Sequence, residues 1–449
     1  MTTQQNPPGS ASAQPFAANA SSDASTTPKI MPTKRLRKLQ TLFVGLLVLS
    51  GALNYLDRGA LSIANPMIRE ELGVSFGEMG LLLSAFIWTY ALSQLPVGAM
   101  VDRMGPRRLL GFGLIFWSLA QAACGFVHNI GQFIWARVFL GVGESPQFPT
   151  AARVVANWFA IRDRGFPTGV FNAASPLGTA LAPALLTALM LAVGWRSMFI
   201  ATGMAGLVVA AIWIAVYRDP NKIDLTQAEK AYLKHGELRD TTVKVTFAQW
   251  RALFGYRTTW GMILGNFGSI YLNWVFLTWL PGYLQVERHM SLMSSGFAAS
   301  IPFFCGFIGS LVAGWFSDKL AVRGFSAINS RKYPIVAAMI GMAAFTVPAA
   351  LAESNILAIA CISVVVFLAN AASANCWALA SAVAPPNRVA SLGSVQNFGG
   401  FCGGAIAPIV TGFIVQITHS FVPALLTGAA IAFVSAMIYL GVVKDPIPE

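Results

Sequence analysis

Long apolar stretches follow one another along this chain from about residue 39 to residue 443. A helix that crosses a membrane needs about 20 mostly apolar residues, and twelve stretches approach or exceed that length. The pattern predicts an all-α membrane protein whose twelve transmembrane helices are 39–65, 79–101, 109–127, 131–156, 165–192, 196–217, 258–284, 294–317, 333–352, 355–384, 389–418 and 420–443.

Polar segments divide these spans into two groups of six. We predict the following organisation: a disordered basic cytoplasmic tail at 1–38, a six-helix bundle at 39–217, a cytoplasmic linker at 218–257, a second six-helix bundle at 258–443 and a cytoplasmic tail at 444–449. Within the linker, Thr226 and Glu229 have the spacing of a capping box, which predicts a short surface helix from Thr226 to Arg239.

Composition supports a membrane protein, since 55% of the residues are hydrophobic and only 11% are charged. The formal charge of +12 would suggest nucleic-acid binding in a soluble protein. With a cytoplasmic N-terminus, however, 24 of the 30 Lys and Arg residues lie on the cytoplasmic side. The positive-inside rule therefore explains the charge, and we predict no nucleic-acid partner. The remaining six are Arg69, Arg196 and Arg288 outside, and Arg58, Arg137 and Arg153 within spans.

The two halves share a loop sequence, GAMVDRMGPRR at 98–108 and the weaker GWFSDKLAVRG at 314–324. Duplicated halves are typical of transporters whose substrate site lies between the repeats. Glycines permit a tight turn, and an acid among cations at a helix junction can pair with neighbouring helix ends. We interpret the loop as a gate latch, with a plain cytoplasmic turn as the alternative. Its predicted gating residues are Gly98, Asp102, Arg103, Gly105, Arg107, Arg108 and Asp318.

Charged side chains inside membrane spans are costly and indicate function. The first span carries Asp57 and Arg58, and the fourth carries Arg137 and Glu144. From helix rise and direction, Asp57 and Arg137 fall at similar depth, whereas Glu144 lies about 10 Å along the axis from Arg137. We expect Asp57 to pair with Arg137, Glu144 to lack a cation, and Arg58 to be free for a ligand carboxylate. The alternative is a static network that joins the two spans.

Neutral polar faces characterise the second half. They suggest recognition of hydroxyl groups, so that a charged half facing a neutral half favours a hydroxylated carboxylate as substrate. Hydrogen bonding between helices is the alternative for each residue. The residues on these faces are Asn266, Ser269 and Asn273 on the seventh span, and Asn370, Ser373, Trp377 and Ser381 on the tenth.

Several motifs resemble the anion:cation symporter family of the major facilitator superfamily, and in particular the bacterial galactonate, glucarate and hexuronate proton symporters. They are YLDR at 55–58, RxxxGxxE at 137–144, PxFP at 146–149 and FLTWLPGYL at 276–284. The resemblance covers the chain from about residue 38 and implies the major facilitator fold. It also implies the bacterial inner membrane, with both termini in the cytoplasm.

The resemblance further implies roles for individual residues. Asp57 and Glu144 would be proton sites, with Arg137 holding Asp57 and Arg58 meeting the substrate carboxylate. Positions matching substrate contacts in galactonate carriers are Tyr55, Tyr90, Trp377 and Asn397, and the glutamines of those carriers are replaced here by Ser175 and Asn266. Asn273 and Ser373 complete the predicted substrate-binding set.

We therefore predict proton-coupled uptake of a hexonate or hexarate by a monomer, with lipid, protons and a small organic anion as partners. The alternatives are another organic anion, such as a small dicarboxylate, hexuronate or aromatic acid, and a membrane-embedded enzyme or sensor. An ATP-driven pump is excluded because the sequence has no GxxxxGK[ST] loop. The five cysteines and four histidines have no metal-ligand spacing, so we expect no disulfide, metal, cofactor or catalytic residue.

Overall fold

The computed structural model describes residues 31–160, 163–234, 247–385 and 388–448, and regular secondary structure in these ranges is entirely helical. The first half consists of six helices, followed by the linker. A single 3-10 turn at Cys124–Phe126 follows the third helix. The helices are α1 (Lys34–Leu72), α2 (Phe76–Met104), α3 (Pro106–Ala123), α4 (Ile130–Glu144), α5 (Gln147–Trp158) and α6 (Gly165–Val216).

The first helix is longer than predicted at both ends. It begins at Lys34 because the hydroxyl of Thr33 accepts a hydrogen bond from Leu36 N and caps it. It continues through Pro66 and ends at Gly73, which adopts a left-handed conformation at φ 64°. Residues 34–38 are therefore helical rather than part of a disordered tail, while residues 1–30 lie outside the described part of the chain.

The twelve predicted spans correspond to the described helices once two interruptions are recognised. Within the described ranges, ten helices are long and apolar enough to cross a membrane. One of them, α6, has 52 residues and bends at Gly194, whose φ of 79° favours glycine, so that it supplies two spans. Helices α4 and α5 form the remaining span, interrupted at Ser145 and Pro146, which both keep right-handed backbone angles. The prediction of an all-α protein with twelve transmembrane helices is confirmed.

The linker contributes two short helices, α7 (Gln227–Lys234) and α8 (Phe247–Ala252). The capping box predicted for the linker is present, since Glu229 N donates to the Thr226 hydroxyl and Thr226 N donates to the Glu229 carboxylate. The hydroxyl of Thr33 also donates to Glu229, and these hydrogen bonds hold the pKa of that carboxyl below its ordinary value. The predicted end of this helix at Arg239 lies outside the described residues.

The second half contains α9 (Arg257–Val286), α10 (Leu292–Val322), α11 (Asn329–Leu351), α12 (Asn355–Val383), α13 (Val389–Thr418) and α14 (Val422–Val442). The segment after α14 packs against this half. Its Ile447 N donates to Val383 O, and the Thr258 hydroxyl donates to Asp445 O. The start of α9 and the end of α14 therefore lie at the same end of the bundle, which we call the terminal end.

The two halves meet at the opposite end, which we call the far end. There α1 and α2 pack on α9 and α13, and α6 packs on α10. Hydroxyl, amide and backbone groups hold the contact. The hydrogen bonds between the halves are Ser62 Oγ to Thr278 O, Ser84 Oγ to Ala405 O, Gly77 N to Gln416 Oε1 and Ala184 N to Ser300 Oγ. The far end is thereby closed, and a central cavity opens toward the terminal end.

Candidate functional site

A cavity of about 1020 Å³ separates the two halves. Both halves contribute amides, hydroxyls and aromatic rings, and the first half also contributes Arg58. Among the described side chains that line this cavity, Arg58 is the sole charged one. Its neutral polar lining includes Tyr55, Tyr90, Gln94, Asn172, Ser175, Asn273, Asn370, Ser373, Ser394 and Asn397.

Arg58 lies at the wall of the cavity, near the middle of α1. Its guanidinium carbon lies 4.6 Å from the ring centre of Tyr55 and 4.5 Å from that of Tyr90. These contacts are within the range of cation–π attraction and fix the planar group between two rings. A guanidinium held in this way can present its remaining N–H groups to a carboxylate.

Glu144 is the ion-pair partner of Arg58. The Arg58 Nε donates to Glu144 Oε2 at 3.0 Å, and both side chains are buried. Glu144 is the last residue of α4, just before the break at Ser145 and Pro146. Removing each charge from water costs several kcal/mol, and a buried charge without a partner is less stable still. Both side chains are therefore more stable paired than apart.

Close helix packing places Glu144 at this position. A Cβ on Gly141 would lie 2.6 Å from Phe86 O on α2, and one on Gly143 would lie 2.7 Å from Trp117 N on α3. Only glycine permits such close approach of three helices. The glycines of the RxxxGxxE segment therefore bring α4 against its neighbours and Glu144 within reach of α1.

The predicted pairing of the four charges is wrong. Arg137 Nη1 donates to the backbone oxygen of Asp57 at 3.4 Å, so the two residues do lie at the same depth. Within the described part of the chain, however, the Asp57 carboxylate accepts no hydrogen bond. The carboxylate that pairs with a cation is Glu144, and the cation is Arg58. Depth was predicted from the helix rise, but the partner depends on side-chain reach: the long arm of Arg58 crosses to α4, whereas the short Asp57 does not reach Arg137.

Most predicted substrate-binding residues line the cavity. They are Tyr55, Arg58, Tyr90, Ser175, Asn273, Ser373 and Asn397. Asn266 does not: it is buried on α9 and donates to Gln396 O on α13, so it joins two helices as the alternative interpretation proposed. The side chain of Trp377 lies outside the described part of the structure.

Some residues of the cavity wall are absent from the predicted substrate-binding set. Gln94 lies one helical turn after Tyr90 on α2, and Asn172 lies one turn before Ser175 on α6. Helical spacing from a residue already singled out would have found both. Trp274 and Phe401 had no such signal, since apolar rings occur throughout the spans.

The predicted gating loop forms the turn between α2 and α3. Gly105 adopts φ 78° there and its N–H donates to Val101 O, while the Arg107 guanidinium donates to Ile214 O at 2.7 Å. Arg103 and Arg108 are exposed. The side chains of Asp102 and Asp318 lie outside the described residues, and the latch stays a prediction. All five cysteines are free thiols, and the described residues contain no cluster of three metal-ligand side chains.

The family model of the Major Facilitator Superfamily matches residues 47–408. The chain belongs to this superfamily. It is 43% identical to a probable L-galactonate transporter of Escherichia coli K12, over 97% of this chain and 96% of that one. It is 32% identical to a D-galactonate transporter of Escherichia coli O6:H1 (87% and 92%) and 34% identical to a probable galactarate/D-glucarate transporter of Escherichia coli K12 (88% and 92%). The family resemblance predicted from the motifs is confirmed, and the chain is a membrane transporter, not an enzyme.

Solved structures of the same fold are more distant in sequence. A bacterial homologue of the human lysosomal transporter Spinster, in an inward-facing and occupied conformation, superimposes with a TM-score of 0.75 at 16% identity, covering 91% of this chain and 97% of that one. A D-xylose–proton symporter superimposes with a TM-score of 0.68 at 16% identity, covering 90% and 98%. These structures support the fold of two six-helix halves around a central cavity.

Proposed function

We propose that this protein carries a sugar-acid anion, a hexonate or hexarate, into the cytoplasm together with protons by alternating access. The relatives named above are transporters of such acids. The observation that carries the proposal is that Arg58 is the single cation among the described residues of the cavity wall, where the other groups are neutral. A carboxylate would bind at Arg58, and the amides of Asn273, Asn370 and Asn397 would bind the hydroxyls.

The charge of the cavity favours an acid with one carboxylate. A hexonate places its carboxylate on Arg58 and leaves only hydroxyls for the rest of the cavity. The second carboxylate of a hexarate would face neutral groups, without a cation to offset the cost of taking its charge out of water. We therefore expect hexonates to bind more tightly than hexarates.

Proton coupling follows from competition for Arg58. The ionised Glu144 occupies Arg58 Nε, so an incoming carboxylate must share or displace it. Protonation of Glu144 removes the competing negative charge and frees the guanidinium for the substrate. Substrate binding and proton uptake then favour each other, as thermodynamic linkage requires. Asp57 supplies a second buried carboxylate next to this pair.

The orientation of the protein in the membrane follows from the distribution of charge. Lys34, Arg35, Arg37 and Lys38 lie at the terminal end, where α1 begins. The positive-inside rule places this end in the cytoplasm of the bacterial inner membrane. The cavity of this structure then opens inward, and the closed far end faces outward.

The test is uptake of radiolabelled acids by proteoliposomes that contain the purified protein. The panel contains L- and D-galactonate, galactarate, D-glucarate, a hexuronate, a small dicarboxylate and an aromatic acid. Transport of hexonates above the others supports the proposal. Preference for hexarates would contradict the one-carboxylate argument, and transport of the aromatic acid or the small dicarboxylate alone would contradict a sugar acid as substrate.

A further inference from the structure

The side chain of Gln94 is a free amide in the wall of the cavity. It lies on α2, one helical turn after Tyr90, and both residues line the cavity. Gln94 is partly exposed and forms no side-chain hydrogen bond within the described part of the chain. An amide offers two N–H donors and a carbonyl acceptor, so its hydrogen-bonding capacity is available to a molecule in the cavity.

The Arg58 guanidinium marks the inner end of this wall. It is held between the rings of Tyr55 and Tyr90. Among the described lining residues, Arg58 is the one on α1 nearest the closed far end, and Tyr90 is the one on α2. The open space beside these two helices therefore extends from the guanidinium toward the terminal end. A substrate whose carboxylate binds Arg58 has room for its carbon chain in that direction.

Gln94 lies about one substrate length from the guanidinium. Since α2 begins at the far end, Gln94 lies nearer to the terminal end than Tyr90, by about 6 Å at 1.5 Å per residue. An extended chain of six carbons has five C–C bonds of about 1.5 Å and, because of its zigzag, also spans about 6 Å. The group at C6 of a bound hexonate or hexarate therefore lies at the depth of Gln94.

Two other polar residues of the wall lie farther along the cavity on α6, which begins at the terminal end. A Cβ on Gly178 would lie 3.0 Å from Tyr55 Cβ, so Gly178 is at the depth of the tyrosine that holds the guanidinium. Asn172 and Thr168 precede Gly178 by six and ten residues, and so lie about 9 and 15 Å nearer to the terminal end. Both distances exceed the length of a six-carbon chain, which leaves Gln94 as the residue at the depth of C6.

The spacing between the anchor and Gln94 is set within the first half. The guanidinium carbon of Arg58 lies 5.0 Å from the ring centre of Phe86 and 4.5 Å from that of Tyr90, and both rings belong to α2. Gln94 follows them on the same helix. Its position relative to Arg58 therefore does not depend on the second half.

We propose that Gln94 contacts the C6 group of the substrate and selects a hydroxyl over a carboxylate at that carbon, an inference that rests on the proposed transport of sugar acids. The neutral amide can exchange hydrogen bonds with a hydroxyl. Arg58 is the sole cation among the described lining residues, and the first carboxylate occupies it. A second carboxylate, taken out of water at the depth of Gln94, would have no counter-ion. Gln94 thereby separates hexonates from hexarates.

Gln94→Lys tests this selection by a gain of binding. The lysine side chain is one bond longer than that of glutamine and places an ammonium group at the depth of C6. Galactonate and galactarate are the matched ligands, because they differ only in the C6 group, a hydroxyl in one and a carboxylate in the other. The variant should raise the affinity for galactarate relative to galactonate by about tenfold or more, as expected for a hydrogen bond between charged groups.

Thr168→Lys is the matched control. It adds the same charge to the same cavity, but about 15 Å from the depth of the anchor, and it should keep the wild-type ratio of the two affinities. Gln94→Met keeps the size of the side chain and removes its polar atoms, so it should weaken galactonate binding by about three- to tenfold. Calorimetric titration of the purified full-length protein with each acid measures these affinities.

An unchanged ratio in Gln94→Lys would overturn the proposal. So would an equal rise in Thr168→Lys, because positive charge anywhere in the cavity would then suffice. Wild-type affinity of Gln94→Met for galactonate would also contradict a contact at C6. Misfolding cannot produce the expected gain for galactarate. Failure of the proposed function gives a different result: the wild type itself would bind neither acid, and the role of Gln94 would be refuted with it.

Discussion

Replacing Glu144 with Gln tests the competition for Arg58 most closely. Arg58 and Glu144 form a buried ion pair, and the hydrogen bond between Arg58 Nε and Glu144 Oε2 measures 3.0 Å. A hydrogen bond between charged groups is worth about 1.5 to 3 kcal/mol. Since about 1.4 kcal/mol corresponds to a tenfold change in affinity, the variant should bind substrate about 10- to 100-fold more tightly wherever the wild-type Glu144 is ionised.

The wild type and the variant should also differ in how the Kd for substrate depends on pH. If the wild type takes up one proton with each substrate, its Kd should rise by up to about tenfold per pH unit where Glu144 loses its proton. The variant has no proton to take up at this position, so its Kd should be nearly independent of pH. Loss of one partner leaves Arg58 unpaired and destabilises the empty protein by about 3 to 5 kcal/mol. Bound substrate should restore much of this stability.

Calorimetric titration of purified protein across a pH series measures both effects. Glu71→Gln serves as the control because Glu71 also pairs with an arginine, Arg196, at 2.9 Å, but at the far end of the first half. That control should keep the wild-type slope. A wild-type slope in Glu144→Gln would refute the competition between Glu144 and the substrate carboxylate.

Three further variants test the substrate anchor, the loop between α2 and α3, and the closed far end. Arg58→Lys should abolish substrate-induced thermal stabilisation while the protein stays folded, because an ammonium lacks the planar fork; near wild-type affinity would rule out Arg58 as the anchor. Asp102→Asn should slow transport far more than it weakens binding, and the gate role fails if steady-state transport stays within about twofold, or roughly 0.4 kcal/mol. Ser84→Ala removes the hydrogen bond to Ala405 O and should shift the equilibrium away from the far-end-closed state by about 1 kcal/mol, as seen in spin-label distances across the far end. Ser363→Ala, which loses only a bond within α12, should leave those distances unchanged.

Hydropathy was sufficient to predict the number of spans, because lipid requires each crossing to be a long apolar helix. It did not predict where the helices break. Pro66 continues α1, whereas Pro146 separates α4 from α5. A proline removes one backbone donor in either case, and the packing of neighbouring helices decides between a continuous helix and an interruption.

The residue types of the site were also predictable, since charges in spans are rare enough to stand out. Their pairing was not. Adjacent residues on a helix point about 100° apart, so a modest helix rotation decides whether Asp57 or Arg58 faces Glu144. Asn266 shows the same limit, because Gln396 O on α13 is far away in sequence and becomes its partner only after the second half packs.

Proton-driven accumulation of substrate by the wild type would show directly that transport is coupled to protons. Proteoliposomes are loaded at neutral pH, placed in acidic buffer with a labelled hexonate, and followed with and without a protonophore. Proton coupling predicts an internal concentration of the hexonate above the external one, which falls to equality when the protonophore is added. Accumulation that is indifferent to the proton gradient, or that requires a sodium gradient instead, would contradict it.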